Sequence, residues 1–351
     1  MIRVLVVDDS ATVRARLVEI LGSAADFTVV GEASDGRGAV DLTAALRPDV
    51  VTLDLALPEM NGLAATEQIM AHHPTPILIV SASFNRGELF DTYEALAAGA
   101  VDVLEKPGDG DDEWEQRFLS AVRMVAKIRV ITHPRARLAA YGRGTTRTVP
   151  PPAIGASRRP ELIALGASTG GPAALAEVIA AIPHGVLTPI VVVLHIGAPF
   201  ATAFAEWLSE RTSRRMRVVA DGDRIEAQAG QLWFAPPDRH LVIEGRRLRL
   251  DSGPERHHCR PSIDVLFESI AASYAERAVA CLLTGMGRDG AAGLLAIRRA
   301  GGSTIAQDES TSIVYGMPRE AAVLGAAQQV LPLHEIGQAI ARLTEHPEVE
   351  R

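Results

Sequence analysis

The feature that most limits what this chain can fold into is a repeated couplet, a short apolar run rich in β-branched residues followed by a stretch with helical period. It occurs five times before residue 125. "IRVLVV" leads into a helix over 11–22, "FTVVGEA" into 36–46, "DVVTLDL" into 62–72, "PILIVSA" into 87–98 and "DVLEKP" into 112–127. Strand runs with no polar alternation are buried on both faces, as in a parallel sheet covered by helices. Alternation of this kind is the pattern of a doubly wound α/β domain. The rhythm fails over 128–160, where Pro150, Pro151 and Pro152 mark an extended connector. It resumes with strands expected at 162–166, 189–195, 279–284, 303–306 and 328–332. The helices expected there lie at 172–182, 200–211, 262–276, 290–300, 318–325 and 334–344, and a strand-rich, hairpin-like insert spans 216–250. The expected fold is therefore two doubly wound parallel-sheet domains, 1–125 and 161–351, joined by a linker over 126–160.

Composition supports that division. At 351 residues the chain exceeds what one hydrophobic core usually organises, and its 47% hydrophobic content is enough for two. Residues 1–125 carry 21 acidic against 9 basic side chains, residues 126–160 carry 0 against 8, and the rest 22 against 18. The basic stretch lies in a Pro/Gly-containing connector and not on a periodic helix, so nucleic-acid binding is not expected. No apolar run approaches the ~20 residues of a membrane span. The two cysteines, Cys259 and Cys281, have no disulfide or zinc-site spacing. A reducing, cytoplasmic setting is expected, without membrane insertion.

Carboxylates terminate the strands of the front region: Asp8 and Asp9 after "VLVV", and Asp54 after "VVTL". In a parallel sheet, sites form outside the carboxyl ends of strands, so these three should converge. Three converging carboxylates repel one another unless a hard cation such as Mg²⁺ joins them. Two further strand ends deliver Ser81 and Lys106. The chain has two lysines, 106 and 127, against 33 arginines, which singles out Lys106 as a place for a compact ammonium.

The second constellation begins in "LIALGASTGGPAAL". Gly166 to Gly170 fits G-x-S-x-G at a strand-to-helix turn, where small neighbours let Ser168 project. Neither the G-x-G-x-x-G nor the G-x-x-x-x-G-K-[ST] phosphate-loop spacing is present. A serine nucleophile needs a base and a group to orient it. The strand "PIVVVLH" ends in His195, with His240 in "PPDRHLVI" as a rival. After "VACLLTG", Asp289 stands where it could cap the following helix or join Ser168 and His195 at the sheet edge. Glycines 285, 287 and 290 leave backbone N–H groups accessible near Met286 for an oxyanion. The order Ser, His, Asp differs from that of α/β-hydrolases.

On "VLVVDDS", "LDLALPEMNGL", "IVSA" and "EKP", residues 1–125 resemble the response-regulator receiver domain, which is flavodoxin-like. The resemblance implies that Asp54 accepts a phosphoryl group from a chemotaxis histidine kinase, that Asp8, Asp9 and Asp54 hold Mg²⁺, and that Ser81 and Lys106 sense the product. On "IALGASTGGPAAL", "RPSIDVLF", "LLTGMGRDGAAGL", "TIAQDES" and "YGMPREA", residues 161–335 resemble the catalytic domain of the chemotaxis protein-glutamate methylesterases (CheB). By that resemblance Ser168 is the nucleophile, His195 the base, Asp289 its orienter and Met286 N–H an oxyanion donor. The implied function is a phosphorylation-activated esterase that hydrolyses glutamate methyl esters on methyl-accepting chemoreceptors, with glutamine deamidation as a second activity and no cofactor for the ester reaction. The competing expectation is an adaptor whose second domain only binds. Departures from the family patterns are Ala56, Asn61 and Val103 in front, and "HIGAPF" over 195–200, Cys259 and Arg288 behind.

Overall fold

A computed structural model describes residues 1–82, 86–106, 113–128, 130, 160–226 and 230–344. Most of the linker expected over 126–160 lies outside these residues, as does Asp112, the expected start of the fifth helix. The chain divides into two compact units, Met1–Pro151 and Pro152–Arg351.

In the first unit β1 (Ile2–Val7), α1 (Ala11–Ser23), β2 (Phe27–Ala33), α2 (Gly36–Leu46), β3 (Val50–Leu53), α3 (Gly62–His72), β4 (Ile77–Ser81), α4 (Arg86–Ala98), β5 (Asp102–Glu105) and α5 (Trp114–Val125) alternate as expected. The sheet is parallel with order β2-β1-β3-β4-β5. Every residue of β3 and β4 is buried, which is why those segments read as largely apolar runs without polar alternation. Side chains start three of the helices. Ser10, Asp35 and Asn61 accept from Val13 N, Gly38 N and Ala64 N, satisfying helix donors that would otherwise be orphaned. Asn61 thus performs the capping that an aspartate would perform there.

The second unit contains β6 (Leu162–Ala167), α6 (Gly171–Ala181), β7 (Ile190–Leu194), α7 (Ala198–Thr212), β8 (Met216–Val218), β9 (Leu232–Phe234), β10 (His240–Glu244), β11 (Arg247–Asp251), α8 (Ile263–Tyr274), β12 (Ala278–Leu282), α9 (Ala291–Arg299), β13 (Ser303–Gln307), α10 (Met317–Val323), β14 (Gln329–Leu331) and α11 (Leu333–Thr344). Its seven-stranded parallel sheet runs β14-β13-β12-β6-β7-β9-β8. The insert differs from expectation. Among its described residues only β10 and β11 form an antiparallel hairpin, whereas β8 and β9 extend the main sheet in parallel alongside β7. Buried Trp233 and Phe234 explain the difference, since β9 hides all three of its residues and needs cover on both faces.

Strand order reverses direction at β1/β3 in the first sheet and at β6/β12 in the second. In open α/β sheets such reversal points open a crevice at the strands' carboxyl ends, and each candidate constellation occupies one. Helix α8 lies over the second crevice, with Ile263, Leu266, Phe267 and Ile270 in the core cluster that includes Leu282 and Leu294.

Candidate active site

At the first crevice the register sets Val7 opposite Leu53, and Asp54 N donates to Val7 O at 3.0 Å, so the residues that follow β1 and β3 emerge side by side. Lys106 Nζ lies 2.7 Å from Asp54 Oδ2 and 2.8 Å from Asp8 Oδ2. Ser81 is buried at the end of β4, and Lys106 N donates to its carbonyl. Asp8 and Asp54 are buried, while Asp9 is exposed at the mouth. Burial, reinforced by repulsion from Asp54, raises the Asp8 carboxyl above its ordinary value despite Lys106. For Lys106, burial alone would lower the ammonium, yet the hydrogen bond to Asp54 and the ion pair with Asp8 hold it above its ordinary value.

A divalent cation fits this pocket on two observations. Asp8, Asp9 and Asp54 each offer an oxygen within 4.8 Å of the others. Asp8 Oδ2, although close to Lys106, lacks an aligned hydrogen bond and is left as a buried orphan acceptor. Oxygen-only donors with excess negative charge are the set Mg²⁺ takes.

The second crevice brings three strand ends together. Ala167 pairs with Leu194 and Gly166 with Leu282. Ser168 N donates to Thr284 O, and His195 N donates to Ala167 O. The serine therefore stands between the strand that leads to His195 and the strand that leads to Asp289. Its turn is tight: Gly171 N reaches back to Ser168 O at 2.6 Å, and Gly170 has φ 74°, a left-handed geometry that glycine adopts without a steric cost. Gly285 is required for a different reason, because a Cβ there would fall 2.7 Å from Ser168 Cβ.

His195 Nε2 lies 2.9 Å from Asp289 Oδ2. Asp289 does not cap the helix that follows it; Gly290 occupies that position and gives no side-chain bond. Its carboxylate instead turns to the N-terminus of α8, accepting from Ile263 N at 2.7 Å, Asp264 N at 3.1 Å and Ser262 Oγ at 2.7 Å. Helix donors at an N-terminus favour negative charge. Burial works to raise the Asp289 carboxyl, but the hydrogen bonds from His195, Ser262 and Ile263 and the attraction of the imidazole outweigh it and hold it below the usual carboxylate range. Burial likewise disfavours a charged His195, yet Asp289 and Cys259 push it up to about 9. An ionised carboxylate can only accept, so in the neutral ring, the form that prevails above about pH 9, Nε2 carries the proton and Nδ1 holds the lone pair.

Ser168 Oγ makes no hydrogen bond among the described residues. Nδ1 is faced instead by Cys259 Sγ at 3.6 Å. In substrate-free sites, catalytic hydrogen bonds are commonly long and tighten only with substrate. Met286 is exposed, and its N–H and that of Gly287 donate to no acceptor among the described residues, as an oxyanion site requires. His240 is excluded as the base. Its Nδ1 accepts from Ser262 N and its Nε2 donates to Pro254 O, so the ring braces the start of α8.

Two contributors escaped the sequence reading. Ser262 caps α8 through Val265 N, for which a serine ahead of an apolar helical run is the usual signal, but its second bond to Asp289 has no local signature. Cys259 stood out only as an unusual residue before "RPSIDVLF". Among the departures, Arg288 Nε donates to His257 Nδ1, and "HIGAPF" passes directly into α7 after Gly197.

The profile of the CheB methylesterase family matches residues 163–340, and that of the response regulator receiver domain matches residues 4–115. The protein-glutamate methylesterase/protein-glutamine glutaminase 2 of Anaeromyxobacter dehalogenans is 42% identical over 345 residues, covering 98% of this chain and 97% of the relative. The corresponding protein 3 of Paramagnetospirillum magneticum is 42% identical over 346 residues, with 98% and 96% covered. The crystal structure of the Thermotoga maritima CheB methylesterase catalytic domain superposes with a TM-score of 0.50 at 31% identity, covering 53% of this chain and 100% of that one. With these matches spanning both units, the chain belongs to the CheB methylesterase family, in the form that carries a response-regulator receiver domain ahead of the methylesterase domain.

Proposed function

We propose that this protein is a phosphorylation-activated protein-glutamate methylesterase and protein-glutamine glutaminase that uses Ser168, His195 and Asp289 as a serine-type triad. The observation that carries the reading is the Asp289–His195 pair, a buried, fully hydrogen-bonded carboxylate orienting an imidazole beside a serine on a G-x-S-x-G turn. Asp289 fixes the tautomer, so His195 Nδ1 takes the hydroxyl proton as Ser168 Oγ attacks the ester carbonyl. The N–H groups of Met286 and Gly287 receive the oxyanion. The imidazolium gives its proton to the departing methoxide oxygen, or to the departing amide nitrogen, so that methanol or ammonia leaves, and water then releases the glutamate by the reverse sequence.

The substrate class is methyl-esterified glutamate on the helices of methyl-accepting chemoreceptors. A sheet-edge site flanked by exposed Met286 suits a side chain presented by a helix. In the first unit Asp54 accepts the phosphoryl group from a histidine kinase, and Lys106 and Ser81 bond its oxygens. Asp8, Asp9 and Asp54 would hold Mg²⁺, which when bound offsets the charge gathered at the carboxylates and the phosphoryl oxygens. The ester reaction needs no cofactor, and the setting is the cytoplasm.

The test is methanol release from methylated receptor, with and without a small phosphodonor and Mg²⁺. Release that rises with phosphodonor supports the whole reading. Release that ignores phosphodonor removes the activation, and no release from any methylated receptor removes the esterase.

A further inference from the structure

The face of His195 that should serve Ser168 is shared with a second nucleophile. Cys259 Sγ stands 3.6 Å from Nδ1, while Nε2 on the opposite edge of the ring is held by Asp289. Thiol, imidazole and carboxylate thus form a Cys-His-Asp relay built on the same base and orienter as the proposed serine triad. This is not a cysteine that merely happens to be near the site. A thiol becomes a nucleophile only as its thiolate, and an oriented imidazole that accepts its proton is the usual means of producing one.

The backbone that carries Cys259 is built to hold it there. Arg256 and Cys259 exchange both backbone hydrogen bonds across a two-residue turn, Cys259 N to Arg256 O at 3.0 Å and Arg256 N to Cys259 O at 3.2 Å. Both central residues, His257 and His258, are left-handed, with φ 55° and 61°. That is the geometry of a type I′ turn, in which glycine, asparagine and aspartate predominate. The turn is pinned from outside. Arg256 makes a bidentate pair with Glu268 of α8 at 2.6 and 2.7 Å, and His257 is held between Asp264 at 3.2 Å and Arg288 at 3.3 Å. Cys259 is half-buried, open to small reagents, whereas Cys281 is fully buried in β12 with its thiol pushed up by burial.

We propose that Cys259 is a reversible modification site for small disulfides, and that forming a mixed disulfide there switches off the esterase by occupying the Nδ1 face of His195. The regulatory half of this inference rests on the esterase reading above; the reactivity of the thiol does not. The exchange balances without another reactant. His195 Nδ1 takes the Cys259 proton, and the thiolate attacks one sulfur of R–S–S–R. A Cys259–S–S–R bond forms, the R–S–S–R bond breaks, and R–S⁻ leaves, free to recover the proton from the imidazole. Cys259 is oxidised and the departing half of the disulfide is reduced. A small thiol in excess reverses the step.

The experiment uses the full chain and 5,5′-dithiobis(2-nitrobenzoic acid), a disulfide whose departing thiolate is coloured; labelling is done with a chelator to remove thiol-binding metals, which is exchanged for Mg²⁺ and phosphodonor before methanol release is read. The native protein is expected to release one equivalent rapidly, with mass mapping to Cys259 and Cys281 untouched. His195→Ala should slow that release by at least about tenfold, because the proton acceptor is gone. Methanol release should fall in step with labelling and return with excess dithiothreitol. Cys259→Ala should have the same methanol-release rate before and after the reagent, whatever that rate is. A Cys259 that reacts no faster than the same thiol in the unfolded chain, or as fast in His195→Ala as in the parent, overturns the relay. Complete labelling with undiminished methanol release overturns the switch. Rapid, His195-dependent labelling in a protein that releases no methanol in any state upholds the thiol site and refutes the esterase reading instead.

Discussion

Replacing Ser262 with alanine removes two hydrogen bonds that only the folded structure reveals as joined. The hydroxyl donates to Asp289 Oδ1 at 2.7 Å and accepts from Val265 N at 3.4 Å, and the residue is fully buried. A hydrogen bond to a buried charge is worth about 1.5–3 kcal/mol, and an N-cap about 1 kcal/mol. Because the 3.4 Å cap is long, the total loss should sit near 3 kcal/mol, which for a domain of this size lowers the unfolding temperature by roughly 6–12 °C. The same change weakens the support for the Asp289 charge, leaving His195 Nε2, Ile263 N and Asp264 N as its donors. A less stabilised carboxylate supports the imidazolium less, so kcat/KM for methanol release should drop by about tenfold, equivalent to ~1.4 kcal/mol. Thermal unfolding and the methanol assay read the two consequences separately. Unfolding of the second unit within about 0.5 kcal/mol of the parent, the range of an ordinary surface change, together with unchanged kcat/KM would refute the claim that Ser262 anchors the triad carboxylate.

Other expectations follow from the same geometry. Since the pKa of His195 is raised to about 9 and the base must be neutral, kcat/KM should rise as pH climbs towards that value; a profile flat from pH 6 to 10 would contradict it. The stability linked to this imidazole has the opposite direction. It is complete below the ordinary histidine value near 6.5 and is lost as pH rises through about 9, which urea unfolding across that range would detect. Asp289→Asn should lower kcat by about 10³–10⁴ and move the activity limb to lower pH, measured in the same assay. Lys106→Ala leaves the buried Asp8 and Asp54 carboxylates without their shared cation. It should cost about 3–5 kcal/mol, a loss that shrinks with acid as Asp8 protonates and that Mg²⁺ partly restores, read by calorimetry with and without the ion.

The elements of both sheets were legible because their signals are local. Buried strands such as "VVTL" and "ILIVS" announce themselves by apolarity, and the residues that end them fall at a strand's carboxyl edge whatever the tertiary details. The grouping of Asp8, Asp54 and Lys106, and of His195 with Asp289, follows from that rule. What stayed hidden depends on long-range packing. The three-residue strands "MRV" and "LWF" carry too little pattern to say which sheet they join. Asp289 bears the local mark of a cap for α9, yet it is captured by the N-terminus of α8, 25 residues earlier at Asp264. The approach of Cys259 to His195 depends on two successive left-handed histidines, a turn that carries none of the usual Asn-Gly or Asp-Gly signature.

The central claim, that Ser168 is the nucleophile of a phosphorylation-activated esterase, is tested most directly by Ser168→Ala in the methanol-release assay, with phosphorylation of Asp54 followed in the same sample. The account predicts that methanol release falls by at least about 10³-fold while Asp54 is phosphorylated at the parental rate. A variant that is phosphorylated normally and still releases methanol at the parental rate would contradict it.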